Sequence, residues 1–476
     1  MNGLTAWMEK HILPVAAKIG AQKHLVALRD AFIGTMPATM AGAIGTMLNA
    51  IIRDLPPAFW PDYNGNEIPV IREIIQINGY VWNGTLAIAG LIFAFSWGYN
   101  LARAYKVNDL AGGIVSLSAF ISGIGFSFAG TQEVALDASA VSAINATTAD
   151  TGLSATAEGI TTGSWGWLKL GQLDANAFFT IMIIGFIATV IYAKLMQHNI
   201  IIKMPDSVPP AVSKAFAAIV PAAVALYVVA IIYFIVGKLS DGDLLINLIQ
   251  KYIAEPFLGA SQGLGWVLVV TLFVQIFWFF GIHGPNVLAP VLEGVWGVAQ
   301  IANINVAQNG YEGLIGPAAV KAAITDGKAY MWVRGSFDAF AWFGGSGGTI
   351  TLIIAILLFS KRADYKTVGK LAVGPGIFNI NEPLMFGLPI VLNAIMFIPF
   401  LLAPLVATTI GWLATYAGLV NPVSQAVPWV VPPMLMSFLA TGADWRAPVV
   451  TLINMAITFF IWLPFVISAN KLQVED

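Results

Sequence analysis

No cysteine occurs in the 476 residues, which excludes disulfides, thiolate metal sites and a cysteine nucleophile. Charge is scarce too: 10% of the chain is Asp, Glu, Lys or Arg, against about 25% in soluble chains. Four histidines, none spaced as in HExxH, give no metal site, and no cofactor is expected. There is no phosphate-cradling glycine loop of the Walker type, no internal repeat and no soluble domain. At a net charge of −2 and without a basic patch, nothing points to nucleic acid. What is present is apolar. Hydrophobic residues make up 58% of the chain, mean hydropathy is +0.79, and runs of roughly 20 apolar residues recur throughout. The class is all-α: a polytopic helical membrane protein.

The amino terminus, MNGLTAWMEKHILPVAAKIG, makes a poor signal peptide, with its glutamate, histidine and mid-segment proline. Residues 1–28 read instead as an amphipathic helix at the membrane surface. Five spans are then expected at Arg29–Ile52, Val81–Ala104, Leu110–Ala129, Ala175–Met196 and Ala215–Val236. Lys10, Lys18, Lys23 and Arg29 precede the first span, and Arg103, Lys106, Lys194 and Lys203 mark later inside ends. Lys and Arg collect on the cytoplasmic side, so the amino terminus is expected there. Asp54–Ile77 and Thr131–Asp174 are expected as outside loops, and Lys238–Pro256 as an outside connector.

The second half is less regular. Spans are expected at Gly263–Gly281, Phe337–Ser360 (interrupted by FGGSGG), Ala394–Ala417 and Ala447–Ile467, with a re-entrant half-helix at Val287–Ala302 and a loop at Asn303–Arg334. Lys361, Arg362, Lys366, Lys370 and Lys471 put the carboxyl terminus inside as well. The total is about eight to ten spans plus re-entrant half-helices.

The stretch that bears on function is Gly374–Asn393, GPGIFNINEPLMFGLPIVLN. The residue before a proline is pushed out of the helical region, and proline suits the first turn of a new helix. Pro383 therefore reads as the start of a half-helix with Glu382 at its cap. A carboxylate at the bilayer centre costs about 2.5–3.5 kcal/mol or more, so it faces a polar cavity. The plainer reading is a cytoplasmic loop carrying a solvated glutamate. GIHGPNVLAPVL at Gly281 echoes INEPLMFGLPIVL at Ile380: each sets an ionisable side chain before a proline and an apolar half-helix. Interrupted segments in matching positions mark transport sites, which makes His283 and Glu382 the leading pair, although a lone histidine is often structural. Asn379 and Asn381 add amides to the same stretch. Trp278 and Trp429 are candidates to cover a sugar ring, and tryptophan also anchors membrane interfaces.

FNINEPLMFGLPIVLN together with MPDSVPPAVSKAFAAIVP resembles the lactose/cellobiose (diacetylchitobiose) family of EIIC proteins, the sugar permeases of the bacterial phosphotransferase system. The likeness runs from Arg29 to Asn470. It implies that Glu382 and His283 approach the C6 hydroxyl of the sugar, with Trp278 and Trp429 beside it. It also implies a homodimer in the bacterial cytoplasmic membrane, with residues 29–237 forming the dimer contact and residues 238–476 holding the sugar and moving as a body. The chain stops at Asp476 with no cysteine-bearing EIIB domain, so a separate phosphorylated EIIB protein is the expected partner.

The expected function is import of a β-linked disaccharide (cellobiose, diacetylchitobiose or lactose type), with its C6 hydroxyl presented for phosphorylation. The chain would contribute the sugar site, including Glu382 as catalytic base, and not the phosphoryl donor. The alternatives are a proton-coupled secondary sugar transporter using the same pair, and a receptor or structural membrane protein without saturable sugar binding.

Overall fold

The computed structural model describes residues 10, 14, 18, 21–54, 56–58, 60, 62–148, 153–205, 207–388, 390 and 393–470. Most of the expected surface helix over residues 1–28 lies outside them. Helix α1 (Lys23–Asn49) starts where the Gln22 side chain accepts from the Leu25 amide, and a π-helical turn prolongs it over Ala50–Asp54. Helices α2 (Pro69–Asn83), α3 (Ala89–Ala104) and α4 (Asp109–Ile121) follow. Small residues bring α3 and α4 close: a Cβ at Gly98 would lie 2.4 Å from the Gly112 carbonyl oxygen. This is how helices pack where hydrophobic driving force is absent.

Three expectations change here. The outside loop expected at Asp54–Ile77 contains most of α2, an amphipathic helix whose Arg72 and Glu73 disguise it as a loop. The third span ends early, because α4 stops at Ile121 and the chain turns into strand β1 (Ser127–Glu133). The segment Thr131–Asp174 is also more ordered than a loop. After β1 come helix α5 (Ala138–Thr147) and strands β2 (Leu153–Thr156) and β3 (Gly159–Trp165). The sheet order is β1-β3-β2, antiparallel, with Ser127 opposite Trp165 and Leu153 opposite Thr162. Helices α6 (Phe178–Gln197) and α7 (Pro210–Leu239) complete the first half close to their expected limits.

The chain re-enters through short helical turns over Leu245–Ala260, which bend by 75° into α8 (Leu264–Phe279). The expected half-helix at Val287–Ala302 is longer and irregular: short turns over Gly284–Val291, a π-helix over Leu292–Gly297, then α9 (Val298–Asn309). The loop expected at Asn303–Arg334 holds the end of α9 and all of α10 (Gly316–Thr325). Helices α11 (Arg334–Phe340) and α12 (Thr349–Phe359) flank FGGSGG, where the expected span is indeed broken. Then come α13 (Ala363–Ile377), α14 (Glu382–Gly387), α15 (Ala394–Tyr416), α16 (Pro433–Ala440) and α17 (Arg446–Ala469).

Among the described residues, six helices are long and apolar enough to cross a membrane, a seventh arises if the bent pair counts as one, and Asp109–Ile121 and Thr349–Phe359 are shorter apolar helices. The core of the second half is aromatic, with Trp278, Trp332, Trp462, Phe337, Phe340, Phe343 and Phe400 essentially inaccessible. Buried asparagines clamp the irregular backbone that runs through it. Asn303 donates to the Tyr330 and Val423 carbonyls and accepts from the Tyr330 amide, and Asn454 donates to the Phe340 and Ala407 carbonyls. Non-helical backbone at membrane depth has no water to bond with, so such side chains must satisfy it.

Candidate functional site

Two broken segments meet at their ionisable residues. At the end of α8 the chain reverses at Gly281, whose φ of +76° is left-handed, a conformation that suits glycine. Gly284 then passes so close to α8 that a Cβ would stand 2.1 Å from the Val274 carbonyl oxygen. His283, held between these glycines, caps the turn Gly284–Val287: its Nδ1 accepts from the Asn286 amide at 3.2 Å. With Nδ1 accepting, the proton of the neutral ring sits on Nε2.

Glu382 arrives from the other segment. Asn379 takes a left-handed φ of +62°, which asparagine tolerates better than most residues, and α14 starts at Glu382 with Pro383 in its first turn. Glu382 Oε1 lies 3.6 Å from His283 Nε2, with the two side chains 44% and 36% exposed. That is too long for a hydrogen bond. One hydroxyl oxygen could therefore sit about 2.8 Å from both, accepting from Nε2–H and donating to the carboxylate.

Five of the six residues singled out from the sequence are linked through their side chains, and the sixth, Trp429, joins them through its backbone carbonyl. The Trp278 ring packs 4.6 Å from that of His283 and 6.2 Å from that of Phe386. At 1% exposure it presents no free face and backs His283. Trp429 is 39% exposed, and its backbone carbonyl accepts from the Asn379 side chain at 2.7 Å, as does that of Val431 at 2.8 Å. The Asn379 carbonyl group in turn accepts from the Gly344 amide at 2.8 Å. Asn381 donates to the Ser346 backbone carbonyl at 2.8 Å. Both amides thus tie the Glu382 segment to its neighbours, and both are nearly inaccessible.

The sequence reading missed two participants. Ser346 accepts from the Trp278 indole N–H at 2.7 Å. Arg334 donates to Glu293 at 2.9 Å and to Asp338 at 2.8 Å, with its guanidinium 4.7 Å from the Trp342 ring centre. This ion triad joins the π-helix that follows His283 to the helix that precedes FGGSGG. A charged pair four residues apart at Arg334 and Asp338 was the available signal, hidden because the first member fell in an expected loop. Among the described residues no group of three or more His, Asp or Glu side chains could hold a metal ion.

Long apolar helices, two broken segments meeting end to end, and an acid–histidine pair at their junction define a membrane transporter with its site built from discontinuous helices. The family model "Phosphotransferase system, EIIC" matches residues 29–404. The chain belongs to that family, the sugar-specific permease components of the phosphotransferase system. It is 54% identical to the "PTS system cellobiose-specific EIIC component" of Lactococcus lactis subsp. lactis (strain IL1403), over 100% of both chains. It is 31% identical to the "Lichenan permease IIC component" of Bacillus subtilis (strain 168), over 100% of this chain and 96% of the relative. The crystal structure of the transporter ChbC, the IIC component from the N,N'-diacetylchitobiose-specific phosphotransferase system, superposes with a TM-score of 0.82 at 30% identity, covering 98% of each chain.

Proposed function

We propose that this permease imports a β-linked disaccharide of the cellobiose type and holds its C6 hydroxyl between His283 and Glu382 for phosphoryl transfer. The observation that carries this reading is the 3.6 Å separation of His283 Nε2 and Glu382 Oε1, at which one hydroxyl oxygen beside the pair lies within hydrogen-bond distance of both. The cellobiose specificity named for the relative at 54% identity supports the substrate class. In the transfer, Glu382 takes the hydroxyl proton, the sugar oxygen bonds to phosphorus, and the phosphorus–sulfur bond of a phosphocysteine breaks. The 476 residues hold no cysteine, and the phosphocysteine on this reading is that of an EIIB protein. Trp429 offers an exposed ring for the sugar, Trp278 backs His283, and Asn379 and Asn381 shape the pocket from its wall.

Both termini are cytoplasmic on this reading, supported by the positive charge that Lys361 and Arg362 place just ahead of α13 and that Lys366 and Lys370 place within it, since Lys and Arg collect on the cytoplasmic side. The working unit is a homodimer formed through residues 29–237, while residues 238–476 carry the sugar. Helix α7 supports a partner or lipid contact: of its 30 residues only Ala218, Pro221, Ala225 and Val229 are buried.

The test is transport by proteoliposomes containing the purified chain. Sugar phosphate should accumulate only when EIIB and its upstream phosphoryl donors are supplied, whether or not a protonophore is present. Free-sugar accumulation without EIIB, abolished by the protonophore, would establish a proton-coupled carrier instead.

A further inference from the structure

We propose that Ser346, in the middle of the loop Phe343–Gly348, is the positioning residue that keeps His283 and Glu382 in register; this rests on the sugar-site reading above. The contacts form a closed circuit. Glu382 faces His283 at 3.6 Å, and the His283 ring lies 4.6 Å from that of Trp278. Trp278 donates its indole N–H to Ser346 Oγ at 2.7 Å. The Ser346 carbonyl accepts from the Asn381 side chain at 2.8 Å, and Asn381 is bonded to Glu382 through the chain. His283 and Trp278 come from the end of α8, and Asn381 and Glu382 from the start of α14. Ser346 alone comes from a third segment, and it holds both halves.

The loop is built to place this one side chain. Gly344, Gly345, Gly347 and Gly348 have φ of +79°, +100°, +115° and +64°, where any other residue is strained. A Cβ on Gly345 would stand 2.7 Å from the Asn381 side chain, and one on Gly347 would stand 2.8 Å from Phe400. The glycines therefore let the loop wedge between α14 and α15, leaving Ser346 as the only side chain among these five residues. At 6% exposure its hydroxyl is turned away from substrate and toward Trp278. Without that acceptor a buried indole N–H loses its partner, which favours rotation of the ring. His283 then loses its backing, and the gap that fits one hydroxyl widens or closes.

The experiment measures EIIB-dependent phosphorylation of cellobiose by the full-length dimer in proteoliposomes, with thermal unfolding on the same preparations. In Ser346→Ala, kcat should fall about tenfold while KM changes by less than about threefold, with the protein still folded and its unfolding midpoint lowered only by the modest cost of one unpaired buried donor. Trp278→Phe removes the same hydrogen bond from the other end, so Ser346→Ala should add no further loss of kcat in that background. Normal kcat in Ser346→Ala, a loss confined to KM, a loss that tracks the unfolding midpoint, or multiplying losses in the double variant would each overturn the proposal. Should Ser346→Ala fail to fold, normal kcat in Trp278→Phe overturns it equally. Glu382→Gln separates the two levels: if that variant phosphorylates at the full rate, the sugar-site reading itself is wrong.

Discussion

Glu382 is asked to do two things to one hydroxyl, and a single substitution separates them. Glu382→Gln keeps the shape and a carbonyl acceptor, so sugar affinity should fall only by the worth of a charge-assisted hydrogen bond, about 1.5–3 kcal/mol or roughly ten- to a hundred-fold. An amide is no base, so phosphorylation should fall a further 10²–10⁴-fold or so. Equal losses in binding and phosphorylation would make Glu382 a binding residue only. The tryptophans differ from one another in the same way. Trp429→Ala should weaken sugar binding and leave the unfolding midpoint in place, because its ring is 39% exposed. Trp278→Ala should also destabilise the protein, since emptying a fully buried tryptophan site typically costs about 3–5 kcal/mol. Equal midpoints for the two variants would contradict the placement of Trp278 behind His283.

At the scale of elements, the site depends on how its broken segments are braced. Arg334 is 17% exposed and Asp338 13%, and together with Glu293 they tie the π-helix Leu292–Gly297 to α11. Removing Arg334 leaves Asp338 largely buried and unpaired while Glu293, 38% exposed, keeps contact with solvent, so the loss is set by Asp338 and reaches at most about 3–5 kcal/mol. Arg334→Met should accordingly lower the unfolding midpoint in detergent far more than Lys370→Met at an exposed position of α13; equal midpoints would mean the triad braces nothing. This brace was not legible in the sequence, whereas the half-helix at Glu382 was. A proline after an acidic residue states a local backbone rule, and so does a histidine between two glycines. An ion triad is a tertiary fact spread over 46 residues. The sheet Ser127–Trp165 was hidden for another reason: its strands, rich in Ser, Thr and Gly, lack the apolar alternation that betrays a half-buried strand. The FGGSGG break was visible, but not the single side chain it exists to place, because glycine spacing says where backbone turns and not what it turns toward.

At the scale of the whole molecule, a polar contact between the two halves carries a titration. Asp174, just ahead of α6, is 7% exposed. Its side chain accepts from the Asn176 amide at 2.9 Å and from the Asn305 side chain, on α9, at 2.7 Å. Burial pushes its pKa up to about 6 in spite of these hydrogen bonds, which favour the ionised form. The folded protein therefore holds a proton on Asp174 between pH 4 and 6, where the unfolded chain has lost it. The associated stability is present in full below the ordinary carboxylate range and is lost as pH rises through about 6, a swing on the order of 3 kcal/mol. Asp174→Asn removes the titration and keeps a hydrogen-bonding group in place. The Asn305 side-chain oxygen has no partner among the described residues, so a flip of that amide lets it accept from the new one. The unfolding midpoint of the native protein should then rise relative to that of Asp174→Asn as pH is lowered from 7.5 to 5, with the variant the more stable at the upper end. A gap between the two midpoints that stays constant over this range would mean that Asp174 is ionised in the folded protein throughout, and that the contact between the halves is an ordinary charge-assisted hydrogen bond.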